Sequence, residues 1–504
     1  MKVLVINGHP RPGSFTDALV NAFISGAEKA GVHVSQLNLS ALSFDPNVIV
    51  PSPRNQFLEN DIVTAQQLIE QADHLVLIYP TWWGTMPALL KGFIDRVFTP
   101  GFAFEDIEGG TGYEGLLRGR SAQIITTMDT PLFVYHFIYR APGHNAIKRA
   151  TLQFCGFSPV KTRILTPLKS STLVQREKWL QEIYNEGANV AAHAVTSYDR
   201  WMMKIGNWLK AIRLQFYPMS WVAYACGAFA AEHMGYGYDR TVFWIGYLWI
   251  FLLEVATVLS NDYFDFKTDR HNRFFSPFSG GSRVLVEKLL TFKEMKRGII
   301  VAIILSFAAL ALLFMQMPGS IMQSVVTCSI LFVLALGYTI PPLRLSYRTL
   351  GEVNVGITHS LAVILCGFVF QGGNALNAFP WLLSIPLFLA VLPSIILAGI
   401  PDYDADQAAR KKTIAVRFGK KPAVFIAMAC TIIAAISVVL FKVLQVHPGT
   451  YGNAIYLVIP HAVLLCYLLF KYIKNAAPPQ RIDTLLVAAL IYLVWFGLVP
   501  LLSM

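Results

Sequence analysis

Asn261-Asp262-Tyr263-Phe264-Asp265-Phe266-Lys267-Thr268-Asp269 closes an apolar run that starts near residue 242. If the helix continues through it, Asp262, Asp265 and Asp269 recur at i, i+3 and i+7 and share one face. A second acid-rich stretch, Pro401-Asp402-Tyr403-Asp404-Ala405-Asp406, closes another apolar run near residue 400 and sets Asp402 and Asp406 at i and i+4. Carboxylates crowded at the end of an apolar helix repel one another and resist desolvation. Divalent cations relieve both, and Mg2+ prefers oxygen ligands and shares its shell with substrate phosphates. Two such clusters facing each other would hold a diphosphate through Mg2+, with Asp262, Asp265, Asp269, Asp402 and Asp406 as ligands and catalytic carboxylates. Cations follow each cluster: Arg270, Arg273 and Arg283 after the first, Arg410, Lys411 and Lys412 after the second. They suit the neutralisation of a departing pyrophosphate.

Outward from these motifs, nine apolar spans are expected, at about 217–232, 242–260, 298–316, 319–338, 353–371, 381–400, 422–442, 453–472 and 483–502. Several reach the ~20 residues a bilayer crossing needs. Loops after even-numbered spans hold most of the Lys and Arg; those after odd-numbered spans hold few. That asymmetry expects a multi-pass protein of the inner (cytoplasmic) membrane, with the N-terminus and long polar loops in the cytoplasm and Met504 opposite. The net charge of +11 therefore reads as membrane flanks, attracted to anionic lipid or a polyphosphate, and not as a nucleic-acid surface. Ahead of the spans, Trp201, Met202, Ile205, Trp208, Leu209 and Ile212 recur at helical spacing among Lys204, Lys210 and Arg213. A basic amphipathic helix on the membrane surface is expected there. The division expected is 1–197, 198–216 and 217–504. No cleavable leader is expected, because the apolar run after Met1 is too short.

Residues 1–197 alternate β-rich runs (2–7, 32–39, 74–79, 122–127, 160–166) with amphipathic stretches (16–30, 61–71, 87–98, 145–154, 172–192). That order implies a five-stranded, doubly wound parallel sheet with its ligand at the carboxyl ends of the strands. The first strand runs into Gly8-His9-Pro10-Arg11-Pro12-Gly13-Ser14-Phe15-Thr16 and a helix. This is neither GxGxxG nor a P-loop. A loop feeding a helix N-terminus still offers free N–H groups to an anion, with Ser14 and Thr16 hydroxyls beside them; an ordinary capped helix start is the alternative. The third strand ends in Pro80-Thr81-Trp82-Trp83-Gly84-Thr85-Met86-Pro87. Two adjacent tryptophans suit the wall of a planar ligand. Thr127-Met128-Asp129 ends the fourth strand on the same edge. The six cysteines are scattered, with no CxxC or Cys/His cluster, and read as free buried thiols.

These three strand-end loops, above all the stretch from Pro80 to Phe98, resemble the flavodoxin-like NAD(P)H:quinone oxidoreductase family. The resemblance implies FMN or FAD, with its phosphate held by His9, Ser14, Phe15 and Thr16 and its ring bordered by Pro80, Thr81, Trp82, Trp83, Gly84, Thr127, Met128 and Asp129. NAD(P)H and a quinone would take turns on the flavin. Tyr135, His136 and Tyr139 stay open between the quinone side and core or surface roles. Dimerisation of this domain is open too, since the sequence does not set an oligomeric state.

NDxxDxxxD with Gly280-Gly281-Ser282-Arg283, then DxxxD with Lys412-Thr413 and Gly419, resembles the UbiA superfamily of aromatic prenyltransferases. So does Tyr338-Thr339-Ile340-Pro341-Pro342-Leu343-Arg344-Leu345-Ser346-Tyr347-Arg348, where Ser346 stands in place of that family's frequent Lys and Arg344 or Arg348 would supply the cation. The resemblance implies a prenyl diphosphate bound by Asn261, Arg270, Arg273, Arg283, Arg344, Arg348, Lys411 and Lys412. Its prenyl group would go to a naphthoate- or benzoate-like acceptor, NDYFDFK pointing to the naphthoate branch that makes menaquinone-type quinones. Two other readings remain open: a transporter or channel with a redox-sensing domain, and a UbiA-like terpene cyclase.

Overall fold

Val3 and Val5 point to one side of the first strand and Leu4 and Ile6 to the other, all four buried. A strand apolar on both faces belongs inside a parallel sheet covered twice. The structure, a computed structural model, describes residues 1–106, 113–276, 278–476 and 478–504, and for Asp106 and His193 the backbone alone. It divides into two units, Met1–Met203 and Lys204–Met504, the division falling within the helix Ser197–Ile212.

In the first unit, strands β1 (Lys2–Asn7), β2 (His33–Asn38), β3 (His74–Pro80), β4 (Phe104–Asp106), β5 (Tyr113–Gly115), β6 (Ser121–Thr127) and β7 (Val160–Leu165) follow one another. Five form a parallel sheet in the order β2-β1-β3-β6-β7, with Val5 opposite Val76 and Leu77 opposite Ile124. This is the flavodoxin-like arrangement. The order reverses between β1 and β3, so a crevice opens at their carboxyl ends. Helices Phe15–Lys29 and Leu173–Ala188 cover the face bearing Val3 and Val5; Asn60–Gln71 and Ala88–Val97 cover the other. The antiparallel β4–β5 pair was not expected: at three residues a strand, it is too short for alternation to reveal. The helix expected over 145–154 is a wider, π-type helix, Asn145–Gln153. The one expected over 172–192 breaks at Asn189 into Leu173–Ala188 and Val190–His193.

In the second unit, each of the nine apolar stretches is helical among the described residues, but only seven helical stretches are long and apolar enough to cross a membrane. The expectation of nine is corrected to that extent. Tyr217–His233 and Ile321–Gly337 have 17 residues each. At 1.5 Å per residue that is roughly 25 Å, short of a ~30 Å hydrocarbon core. Within this unit the amphipathic helix docks one side of its stripe: Trp208 meets Gly298, Asn207 donates to the Leu289 carbonyl at 3.1 Å, and Lys204 and Lys210 pair with Glu294 and Glu287.

Gly227 and Gly367 set the closest helix approach. A Cβ on Gly227 would lie 2.0 Å from the Ile364 carbonyl oxygen, and one on Gly367 2.2 Å from that of Tyr224. Small residues let backbones come this near in a membrane bundle. Gly227→Ala must push rigid backbone aside, so a loss of about 1–3 kcal/mol is expected, read as a lowered Tm of the detergent-solubilised protein.

Candidate active sites

The end of the membrane helix Arg240–Phe264 turns at Asp265 into a short helix, Phe266–His271. The helix Ala378–Ala398 is followed by Tyr403–Ala408. The two short helices lie against each other, and the acidic stretches meet there. Asn272 and Ser279, which follow the first cluster, donate to Asp402 Oδ1 of the second at 2.6 and 2.7 Å. Lys411 lies between the clusters, its Nζ 2.9 Å from Asp265 and 3.7 Å from Asp406. Tyr347 donates to the other Asp265 oxygen at 2.9 Å. Asp262 is held by the Ser282 amide at 3.1 Å and by the Ser282 hydroxyl. Asp269 sits beneath Gly281, where a Cβ would fall 2.2 Å from its carboxylate; the glycine keeps that space open at φ +72°.

Burial pushes the Asp269, Asp402 and Asp406 carboxyls above their ordinary range, and neighbouring carboxylates push Asp269 and Asp406 further. Burial would lower Lys411, but Asp265 and Asp406 outweigh it and hold the ammonium charged. Among the described residues, no three acids, histidines or cysteines converge into a ready cation cage. The reason is visible: Lys411 fills the space between Asp265 and Asp406, while hydroxyl and amide donors hold Asp262 and Asp402. Oxygen acceptors nevertheless remain. Asp406 Oδ1 and Asn261 Oδ1 are buried without a hydrogen-bond donor. An all-oxygen set with orphaned acceptors suits Mg2+, which keeps several waters and completes its shell from substrate phosphate.

The expected cations divide in two. Lys411 and Arg283 are inside, Arg283 stacked 3.8 Å from the Phe275 ring and donating to the Asp269 carbonyl at 2.9 Å. Arg270, Arg273, Arg344, Arg348 and Lys412 are exposed, Arg348 donating to the Pro342 carbonyl at 2.9 Å. Sequence reasoning missed Asn272, Ser279 and Tyr347, and also Arg213, whose charge reaches Asp262 and Asp402. The Gly280–Gly281 pair beside Ser279 and Ser282 was a usable signal; for Asn272 none existed. Ser346, where the resembled family has Lys, is buried with an unpartnered hydroxyl.

The first unit gathers its loops at the β1/β3 crevice. His9 meets Trp82 edge to face at 5.7 Å, and the Thr81 amide donates to the Thr127 carbonyl at 2.7 Å. Pro80 ends β3 within the sheet. Trp83 is fully exposed at positive φ, and Gly84 follows it in the turn. Ser14 caps its helix through Asp17, Phe15 packs on Trp179, and Thr16 is buried. Met128 is buried beside Tyr135, and Asp129 accepts from the Lys169 amide at 2.6 Å, facing the loop after β7. The Tyr135 hydroxyl bonds His144 Nδ1 at 2.8 Å, and burial lowers the His144 pKa to about 4. His136 and Tyr139 are exposed.

Comparison with known proteins divides the chain in the same way. The model of the UbiA prenyltransferase family matches residues 219–499, and a flavodoxin-like fold model matches residues 1–185. A ribosyldihydronicotinamide dehydrogenase [quinone] from Pongo abelii is 30% identical over 192 residues, covering 32% of this chain and 80% of the relative. An uncharacterized NAD(P)H oxidoreductase from Haemophilus influenzae is 30% identical over 166 residues, covering 32% and 81%. The solved structure of a digeranylgeranylglyceryl phosphate synthase is 17% identical, with a TM-score of 0.42, covering 60% of this chain and 98% of that one. The chain belongs to the UbiA prenyltransferase family, its prenyltransferase domain preceded by a quinone oxidoreductase domain of flavodoxin-like fold.

Proposed function

We propose that the membrane domain transfers a prenyl group from a prenyl diphosphate to a naphthoate- or benzoate-like acceptor, with Mg2+, while the N-terminal domain reduces quinones with NAD(P)H and a flavin. The observation that supports this most is the meeting of both acidic stretches around Lys411. In this reading Asp262, Asp265, Asp269, Asp402 and Asp406, with the Asn261 carbonyl, hold Mg2+. The metal supplies electrostatic stabilisation of the diphosphate leaving group. Lys411 and Arg283 bind diphosphate oxygens from within, and the exposed arginines and Lys412 draw the anion to the rim. Tyr347 fixes the Asp265 carboxylate. The apolar bundle below excludes water from the allylic cation.

For the N-terminal domain, the crevice where His9, Trp82 and Thr127 converge fits FMN or FAD. The Ser14–Thr16 helix start holds its phosphate, and Trp82 and the Thr81–Gly84 backbone flank its ring. The flavin supplies hydride transfer. Trp82→Ala should weaken flavin binding about fivefold, the ~1 kcal/mol of one aromatic contact, read by flavin fluorescence titration. Both sites work on the cytoplasmic side, the N-terminal domain keeping a ring acceptor or product reduced in isoprenoid quinone metabolism.

The test is mass spectrometry of lipids formed by membranes containing the protein, given Mg2+, a prenyl diphosphate and candidate aromatic acids. A prenylated aromatic is the expected product. A cyclised terpene, or ion flux across proteoliposomes with no prenylated product, would overturn the reading.

A further inference from the structure

Pro131-Leu132-Phe133-Val134-Tyr135-His136-Phe137-Ile138-Tyr139-Arg140 follows β6 in the first unit, and most of it lies outside the core. Tyr135 is buried and Val134 half-buried; the other eight residues are exposed. Phe137 is 74% exposed, Phe133 66% and Ile138 62%. The Phe133 and Phe137 rings lie 5.2 Å apart and present one apolar surface. Tyr135 anchors the segment, its hydroxyl bonding His144 Nδ1 at 2.8 Å, and the Gly143 amide donates to the Gly84 carbonyl at 3.0 Å. That contact sets the segment beside the fully exposed Trp83, on the edge where the crevice opens. Arg140 and Ala141 end it at φ +57° and +47°, a costly backbone that persists only where the surroundings impose it. The shape is therefore built, and soluble proteins rarely leave a contiguous apolar patch of this kind in water.

Charge is as one-sided here as the apolar surface. From Thr130 to Arg176 the chain holds no Asp or Glu and seven Lys or Arg. Lys161 and Arg163 pair with Asp199 and Glu182. Arg140, Lys148 and Arg149, which follow the aromatic residues directly, form no ion pair among the described residues. Aromatic and aliphatic side chains beside free cations suit a lipid surface, the rings at the acyl boundary and the cations on phosphate. A second copy of the chain fits poorly, because a two-fold pairing would set each basic rim against its like. A bilayer is also always within reach, since the same chain continues into seven helical stretches long and apolar enough to cross one.

We propose that this edge of the N-terminal domain docks on an anionic bilayer. Leu132, Phe133, Phe137 and Ile138 enter the acyl boundary, and Arg140, Lys148 and Arg149 meet lipid phosphate. Docked in this way, the crevice opens onto lipid, so the quinone that reaches it is one dissolved in the bilayer and carries an apolar tail. This second step rests on the quinone-reductase reading of the domain; the docking does not. In the net reaction NAD(P)H is oxidised to NAD(P)+, and the quinone gains its hydride and a proton from water to become the quinol.

The full chain in phosphatidylglycerol nanodiscs tests both steps. A fluorophore on Phe137→Cys should be quenched by lipids spin-labelled near the glycerol end of their acyl chains. One on Glu28→Cys, at the end of the helix Phe15–Lys29 and so at the amino edge of the sheet, should not. The native cysteines are buried or half-buried, and wild type treated with the same label sets the background. With NAD(P)H supplied, Phe133→Ser combined with Phe137→Ser should slow reduction of a long-tailed quinone about tenfold or more, because two phenyl rings no longer bury in lipid. Reduction of a tail-less, water-soluble quinone should stay near the wild-type rate, which also certifies the fold. Quenching absent at position 137, or no greater than at position 28, would overturn the docking. So would cross-linking of position 137 between two copies, which assigns the face to a second chain. A double variant that slows both quinones alike, or neither, would overturn the lipid-borne substrate. If wild type reduces no quinone at all, the reductase reading falls, while the quenching still decides the docking.

Discussion

Asp265→Asn and Asp402→Asn should each lower kcat/KM for prenyl transfer about 10³-fold or more, some 4 kcal/mol of transition-state stabilisation. Asparagine keeps the shape and removes the charge. Asp265 sits where Lys411 and Tyr347 both reach it, so its charge organises a buried cation as well as offering a metal ligand. Asp402 is the acceptor that ties Asn272 and Ser279 to the second acidic stretch. Asp404, between Asp402 and Asp406 in the chain, is the control. Its side chain is 60% exposed and stands 3.8 Å from Lys420, a surface pair of small energetic weight. Asp404→Asn should leave initial rates within about twofold. Equal losses at Asp402 and Asp404 would mean that the motif acts by bulk charge and not by a built site.

Lys411→Met should be the most destabilising single change at the mouth, and its cost should depend on metal. Lys411, Asp265 and Asp406 are all nearly inaccessible. Removing one partner of a buried ion pair costs about 3–5 kcal/mol, because the other charge stays buried and unpaired. With the ammonium gone, the acids need another cation. The Tm of Lys411→Met should therefore fall sharply in EDTA and recover partly with Mg2+, while wild type shifts less on the same addition. Thermal unfolding in detergent with each additive checks it. A variant as stable as wild type in EDTA would show that the acids are not held together by this lysine.

Helical periodicity carried much of the reading of the acidic stretches. The i, i+4 rule selected Asp402 and Asp406 over Asp404, and of the three Asp406 is buried, Asp402 half-buried and Asp404 exposed. The doubly wound sheet was legible because its central strands are apolar on both faces and its loops carry Gly, Pro and Trp at strand ends. What the sequence hid lies in long-range contacts. Tyr347 reaches Asp265 across 82 residues and Asn272 reaches Asp402 across 130, and no local pattern encodes either. Charge counting weighted Arg270, Arg273, Arg344, Arg348 and Lys412 like Lys411, although only Lys411 and Arg283 face inward. Hydropathy found nine apolar runs but could not see that two make helices of only 17 residues.

Calorimetric titration of a prenyl thiolodiphosphate into the nanodisc-embedded protein, with and without Mg2+, tests the meeting of the two acidic stretches most directly. Binding that needs Mg2+ and disappears in Asp265→Asn and in Asp402→Asn alike is the expected result. Tight binding in EDTA, or binding untouched by either substitution, would contradict a diphosphate site built jointly by the two stretches.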